Sequence, residues 1–124
     1  MKAMRPDVFN ENCRSRQILA LLAEKWTLLT LHVLQNGALR TAELGRRLGG
    51  VSEKMLIQTL RKLEHYRLIQ RHDFAEVPPR VEYRLTRIGR SLAKMAGAFD
   101  RWIENHVDDL LGPGQPPRDR KSVV

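Results

Sequence analysis

The sequence predicts an α+β domain that is mostly α, and three observations carry the expectation. Residues 51–66, VSEKMLIQTLRKLEHY, place Leu56, Leu60 and Leu63 at i, i+4 and i+7, one buried face of a helix. After Tyr66 the period drops to two around a Pro-Pro pair, as in a β-hairpin. Then Ile88, Leu92, Met95, Phe99 and Trp102 recur in steps of four and three, a heptad seam on one long closing helix.

Residues 13–23 form the first expected helix, with Ile18, Leu19, Leu22 and Ala23 at helical spacing. A second runs from Lys25 to Leu34 and is apolar on most sides, as a central core helix is. Gly37 suits its stop, and His32 within it reads as a satisfied or partly exposed histidine. Residues 38–40 read as a short extended link. Thr41 is the expected cap of a small helix over 42–48, with Glu43 in its first turn. Gly49-Gly50 ends that helix. Ser52 caps the next one, and Glu53 places a negative charge at its positive end.

At about 100° per residue, Lys54, Ile57, Gln58, Arg61 and His65 fall opposite the leucine face. Taken alone, such a polar face is a solvated surface. Its neighbours change that reading. Two short helices joined by a glycine turn make a helix-turn-helix arrangement, although plain packing units share that form. Strands over 68–74 and 81–85 follow at once. Between them Pro78 and Pro79 impose extended backbone and remove two N–H donors, so the hairpin opens into a stiff tip ending in Arg80. A helix-turn-helix followed by such a hairpin is the winged-helix order. Thr86 caps the closing helix, and Gly112 ends it. The expected organisation is an N-terminal extension over 1–12, a winged-helix domain over 13–111 with a dimerisation helix over 87–111, and a disordered, proline-rich tail over 112–124.

Composition narrows the function. Lys and Arg number 22 against 14 acids, for a net charge of +8 and a pI near 10.4, which suits a polyanionic partner. No apolar run reaches the roughly 18 residues that span a bilayer, and MKAMRPDVFNENC has no apolar signal core. A cytoplasmic protein without membrane contact is expected. The single cysteine, Cys13, excludes an internal disulfide and a cysteine-based zinc site. The four histidines show no metal-ligand spacing, and no nucleophile–base pair or phosphate loop is visible. Neither an enzyme nor a cofactor is expected.

The chain resembles the HxlR-type winged-helix transcriptional regulators of bacteria and archaea. The resemblance lies in Glu24-Lys25-Trp26-Thr27-Leu28-Leu29, Val51-Ser52-Glu53-Lys54-Met55-Leu56, Leu60-Arg61-Lys62-Leu63-Glu64, and Glu76-Val77-Pro78-Pro79-Arg80-Val81-Glu82-Tyr83 with Leu85-Thr86 and Gly89. It extends over about residues 13–111. It implies a homodimer on double-stranded DNA, built by the first and last helices, with an inverted-repeat operator. It places Ser52, Lys54, Gln58 and Arg61 in the major groove, Arg40 and Thr41 on phosphate, and Arg80 as the wing contact near the minor groove. The interface would include Ile18, Leu92, Met95, Phe99, Trp102 and Ile103. The bland alternative is that the last helix packs its seam on the domain's own core. The residue chemistry of the DNA roles stands independently: Gln reads adenine, Lys or Arg reads guanine, and helix N-termini and hydroxyls favour phosphate.

Many members of this family carry a cysteine at the start of the first helix, and some use it to sense oxidants or electrophiles. Cys13 matches that position, with Arg14 and Arg16 and the positive helix end as candidates for lowering its pKa. Members often have proline after the cysteine, where this chain has Arg14. An inert thiol is the rival reading of Cys13. For the whole chain the rivals are a non-specific DNA-binding architectural protein and a winged-helix module for protein partners. The operator, the target genes and the identity of any small-molecule or oxidant effector are outside what the sequence specifies.

Overall fold

The computed structural model describes residues 5–114. Five α-helices and three short strands follow in the order α1 (Ser15–Leu22), α2 (Lys25–Val33), β1 (Leu39–Arg40), α3 (Thr41–Arg47), α4 (Glu53–His65), β2 (Ile69–Asp73), β3 (Val81–Leu85) and α5 (Arg87–Leu111). The expected mostly helical α+β winged helix-turn-helix is present. The tail beyond residue 114 lies outside the described residues.

Two helix starts follow directly from their caps. Ser52 Oγ accepts the Met55 N–H at 3.0 Å, and Thr86 Oγ1 accepts the Gly89 N–H at 3.0 Å. The start of α3 differs from expectation. Thr41 is already helical, and Arg40 occupies the cap position. Arginine has only donors to offer, so Glu43 closes the turn instead: its carboxylate accepts the Arg40 N–H at 3.0 Å. α2 ends in a 3-10 turn over Leu34–Asn36, and Gly37 follows at φ +140°, where a side chain is strained. The turn between α3 and α4 uses Gly50 at φ +87° in the same way.

The link before α3 is a strand. β1 pairs antiparallel with β3, Leu39 opposite Tyr83 and Arg40 opposite Glu82, giving the sheet order β1-β3-β2. A two-residue strand carries too little periodicity to be legible alone. The β2–β3 ladder sets Ile69 opposite Leu85 and His72 opposite Glu82. Ile69, Tyr83 and Leu85 are buried, and the opposite sheet face carries Gln70, His72 and Arg84 in solvent.

The core is one cluster. Leu31 and Leu34 from the second helical segment meet Leu44 and Leu48, then Leu56, Leu60 and Leu63 of α4, and the sheet residues above. α5 joins it through a stripe of small residues, with Gly89, Ala93, Ala96 and Gly97 all buried. Small side chains let α5 lie close to α2. His32 Nδ1 and Asp100 Oδ2 then meet across the two helices at 2.8 Å. The large side chains of the heptad seam face outward: Ile88 is 63% exposed, Met95 68%, Phe99 53% and Trp102 50%, while Leu92 is half-buried. Of the seam, Leu92 packs against the domain's own core, whereas Ile88, Met95, Phe99 and Trp102 stay largely outside it. Among the described residues, no single helix is long and apolar enough to cross a membrane.

Gly89 sets the junction between the wing and α5. A Cβ there would lie 1.9 Å from the Leu68 carbonyl oxygen, a backbone atom that cannot step aside. Gly89→Ala is expected to destabilise the fold by about 1–3 kcal/mol, the usual range for overpacking. Urea unfolding reads it, and an unchanged midpoint would refute the close approach.

Candidate nucleic-acid interface

The interface starts at the N-terminus of α4. Thirteen residues there make a helix with two different faces. Leu56, Thr59, Leu60 and Leu63 are buried, and Lys54, Gln58, Arg61 and His65 are exposed. Ile57, expected on the polar face, is half-buried at its edge. Lys54, Gln58 and Arg61 follow one another at i, i+4 and i+7, so their side chains stack along a single line on the surface. Among the described residues none of the three takes part in a salt bridge. Lys62 points to the other side, where its Nζ meets Glu24 Oε1 at 2.8 Å and ties α4 to the start of α2.

α3 supplies the second part. Thr41, Ala42 and Gly45 of α3 line one open groove with Val51, Ser52, Glu53 and Leu56. The fold thus brings Thr41 and Ser52 together at the mouth of the two helix N-termini, where backbone N–H groups favour an anion. Arg40 sits beside them, exposed at the end of β1. Arg46 and Arg47, both exposed in the last turn of α3, add positive charge that lies outside the sequence motifs.

The wing places Arg80 differently from a free tip contact. Its Nη2 lies 3.2 Å from Glu82 Oε2, its Nη1 lies 3.7 Å from Glu76 Oε1, and the guanidinium carbon sits 3.9 Å from the centroid of the Phe74 ring. The exposed apex is instead Val77, 99% accessible, followed by Pro78 and Pro79. The sequence carries a signal for the Arg80–Glu82 pair, because Arg80 directly precedes β3 and extended residues two apart share a face.

Cys13 lies away from this surface, two residues before α1 and only partly exposed. Its thiol pKa is lowered, first by the Ser15 hydroxyl donating to Sγ at 3.1 Å and then by the Asp7 backbone N–H donating at 3.2 Å. The two arginines expected to do this do not. Arg16 turns its guanidinium to the carbonyls of Val8 and Phe9, and Arg14 makes no contribution to the shift. Cys13, Arg14, Ser15, Gln17 and Ile18 line a cavity with Asp7, Asn10 and Tyr66. Ile18 and Ile103 are each 40% exposed. Among the described residues no cluster of His, Cys, Asp or Glu could hold a metal ion.

A capped helix with an open cationic face, a short helix in front of it and a three-stranded sheet ending in a wing define a winged helix-turn-helix DNA-binding protein. Residues 21–110 match the model of the HxlR-like helix-turn-helix family, and the chain belongs to that family. It is 39% identical over 105 residues to the HTH-type transcriptional regulator YtfH of Escherichia coli K12, covering 85% of this chain and 83% of that one. The solved structure of YtfH from Salmonella typhimurium superposes with a TM-score of 0.80 at 38% identity, over 86% of this chain and 96% of the other. The oxidised form of the redox regulator HypR matches with a TM-score of 0.69 at 30% identity, over 75% of this chain and 96% of the other. The chain is thus similar to transcriptional regulators of the helix-turn-helix type, with DNA as the partner, and these relatives are regulators rather than enzymes.

Proposed function

We propose that the protein is a homodimeric, sequence-specific transcriptional regulator whose Lys54, Gln58 and Arg61 read base edges in the major groove. The observation that carries the reading is the exposed line of these three side chains directly behind the capped N-terminus of α4. Gln58 has the paired donor and acceptor that adenine N6 and N7 require, and Lys54 and Arg61 are donors for guanine O6 and N7. Thr41 and Ser52, which frame the groove at the two helix N-termini, and the exposed Arg40 beside them set the register on phosphates. The outward stripe of α5, extended by Ile103 and completed by Ile18 on α1, supplies the interface with a second copy. In a two-fold dimer the two α4 helices would lie about 34 Å apart, matching inverted half-sites one DNA turn apart.

The test is selection of bound DNA from a random library, followed by competition between the selected operator and bulk DNA. A specific regulator prefers its site by about 10³-fold or more at physiological salt. Equal affinity for both would make the protein an architectural DNA binder and overturn the reading.

Cys13 supports a thiol-responsive form of this function. Its thiol is activated by two hydrogen bonds, and the similar HypR is described as a redox regulator. Its partner in the cell is an electrophile or oxidant, which the nucleophilic thiolate attacks. Depression of the pKa means that the reaction rate with iodoacetamide rises with pH and levels off at a lower pH than for a free thiol. Ser15→Ala removes the largest stabiliser of the thiolate, so the plateau is expected to move to higher pH. A pH–rate profile identical in the two proteins, or one matching a free cysteine, would leave Cys13 an inert thiol.

A further inference from the structure

We propose that Arg80 is a positioning residue that locks the wing, so that the apolar apex Val77-Pro78-Pro79 meets the DNA while the Arg80 guanidinium stays within the protein. The proposal rests on the reading of the wing as a DNA-facing element. Three contacts hold the side chain. Its two terminal nitrogens face Glu82 and Glu76 at 3.2 and 3.7 Å. Its plane covers the Phe74 ring at 3.9 Å. Its Nε is buried, without a hydrogen-bond partner among the described residues.

Phe74 and Arg80 are also the last backbone pair of the hairpin, the Phe74 N–H donating to the Arg80 carbonyl at 3.0 Å. The same two residues therefore close the loop through both main chain and side chain. Asp73 braces the turn from below by accepting the Ala75 N–H at 2.8 Å, where Ala75 stands at φ +54°.

The charge arrangement favours keeping Arg80 on its two acids over releasing it to phosphate. Glu76 and Glu82 are acids on an element that approaches a polyanion. While Arg80 bridges them, the wing presents little net negative charge. If Arg80 swung to a phosphate, it would exchange two carboxylates for one phosphate and leave both carboxylates facing the DNA backbone. Lysine could not replace it, because a compact ammonium lacks the planar fork that spans two acids while stacking on a ring. Val77, almost wholly exposed, then offers the sugar edges of the minor groove an apolar contact, as inserted apolar side chains do elsewhere.

The experiment measures operator affinity of the full-length chain by fluorescence anisotropy, across a salt series, on the selected DNA. Arg80→Lys, which keeps the charge, is expected to weaken binding roughly tenfold, because lysine loses both the fork across two acids and the stacking on Phe74. Phe74→Leu, which keeps Arg80, is expected to weaken it similarly. The double variant should be no worse than either single one, because both remove the same lock. Val77→Ser should lose several-fold with an unchanged salt slope. Melting temperatures near that of the wild type, with faster hydrogen exchange at the Phe74 amide, separate a displaced wing from an unfolded protein. If one single variant fails to fold, the other carries the comparison. The proposal is overturned if Arg80→Lys binds like the wild type while Arg80→Gln lowers the salt slope by about one, the mark of a phosphate contact. It is equally overturned if Val77→Ser changes nothing. Failure of the underlying DNA reading looks different: no DNA is selected, and Lys54 and Arg61 variants behave as the wild type.

Discussion

Placing aspartate at Met95 and Phe99 together is expected to give a folded monomer that has lost operator binding. The two side chains are 68% and 53% exposed in the single chain, so charge there costs the isolated fold little. In a dimer sealed by the outer stripe of α5, the same charges would be buried against apolar side chains, which is strongly unfavourable without a partner. A dimer gains from holding two half-sites at once, commonly about 10²–10⁴-fold over one. Most of that gain should vanish. Sedimentation equilibrium reads the oligomeric state, circular dichroism the fold, and anisotropy the operator affinity. A double variant that stays dimeric would refute the α5 interface. Deleting α5 after Gly89 would be a poorer test, because Ala93 and Ala96 belong to the core.

Arg61→Ala and Lys54→Ala are expected to cost about 1–3 kcal/mol each in operator binding, roughly five- to 150-fold. Both side chains are exposed, and alanine favours helix, so stability should hold. The form of the loss assigns the role. A base contact relaxes preference at one operator position, whereas a phosphate contact weakens all sequences alike and reduces the salt slope by about one. Unchanged binding in both variants would turn attention to protein partners of the winged helix instead.

Much of this architecture is legible in the chain itself, because local rules dominate it. The leucines of α4 repeat at helical spacing and are buried, and Ser52 and Thr86 stand at the caps their hydroxyls fit. The Pro-Pro pair marks where the hairpin opens. The line of Lys54, Gln58 and Arg61 follows from helix geometry alone. Where local rules are weak, the expectation departs from the fold. Thr41 has a capping side chain, yet the antiparallel pairing of Arg40 with Glu82 fixes the preceding backbone and shifts the cap by one residue. β1 itself exists only because β3 lies beside it.

Cys13 and Arg80 show the limit most clearly. Proximity in sequence suggests that Arg14 and Arg16 activate the thiol, but hydrogen bonds from Ser15 and Asp7 do so. The resemblance makes Arg80 the wing contact, and the fold adds partners within the protein: Glu76, Glu82 and Phe74 lie against its guanidinium. The sequence by itself determined the helices, the hairpin, the basic character and the exposed polar face of α4, since each depends on periodicity, capping or composition within a few residues. Only the tertiary structure decided that α5 turns Gly89, Ala93, Ala96 and Gly97 inward and Ile88, Met95, Phe99 and Trp102 outward. A heptad pattern states which residues share a face, but the close approach of α2 determines which face is buried. That approach joins residues far apart in the chain, as in the 2.8 Å contact of His32 with Asp100 across 68 positions.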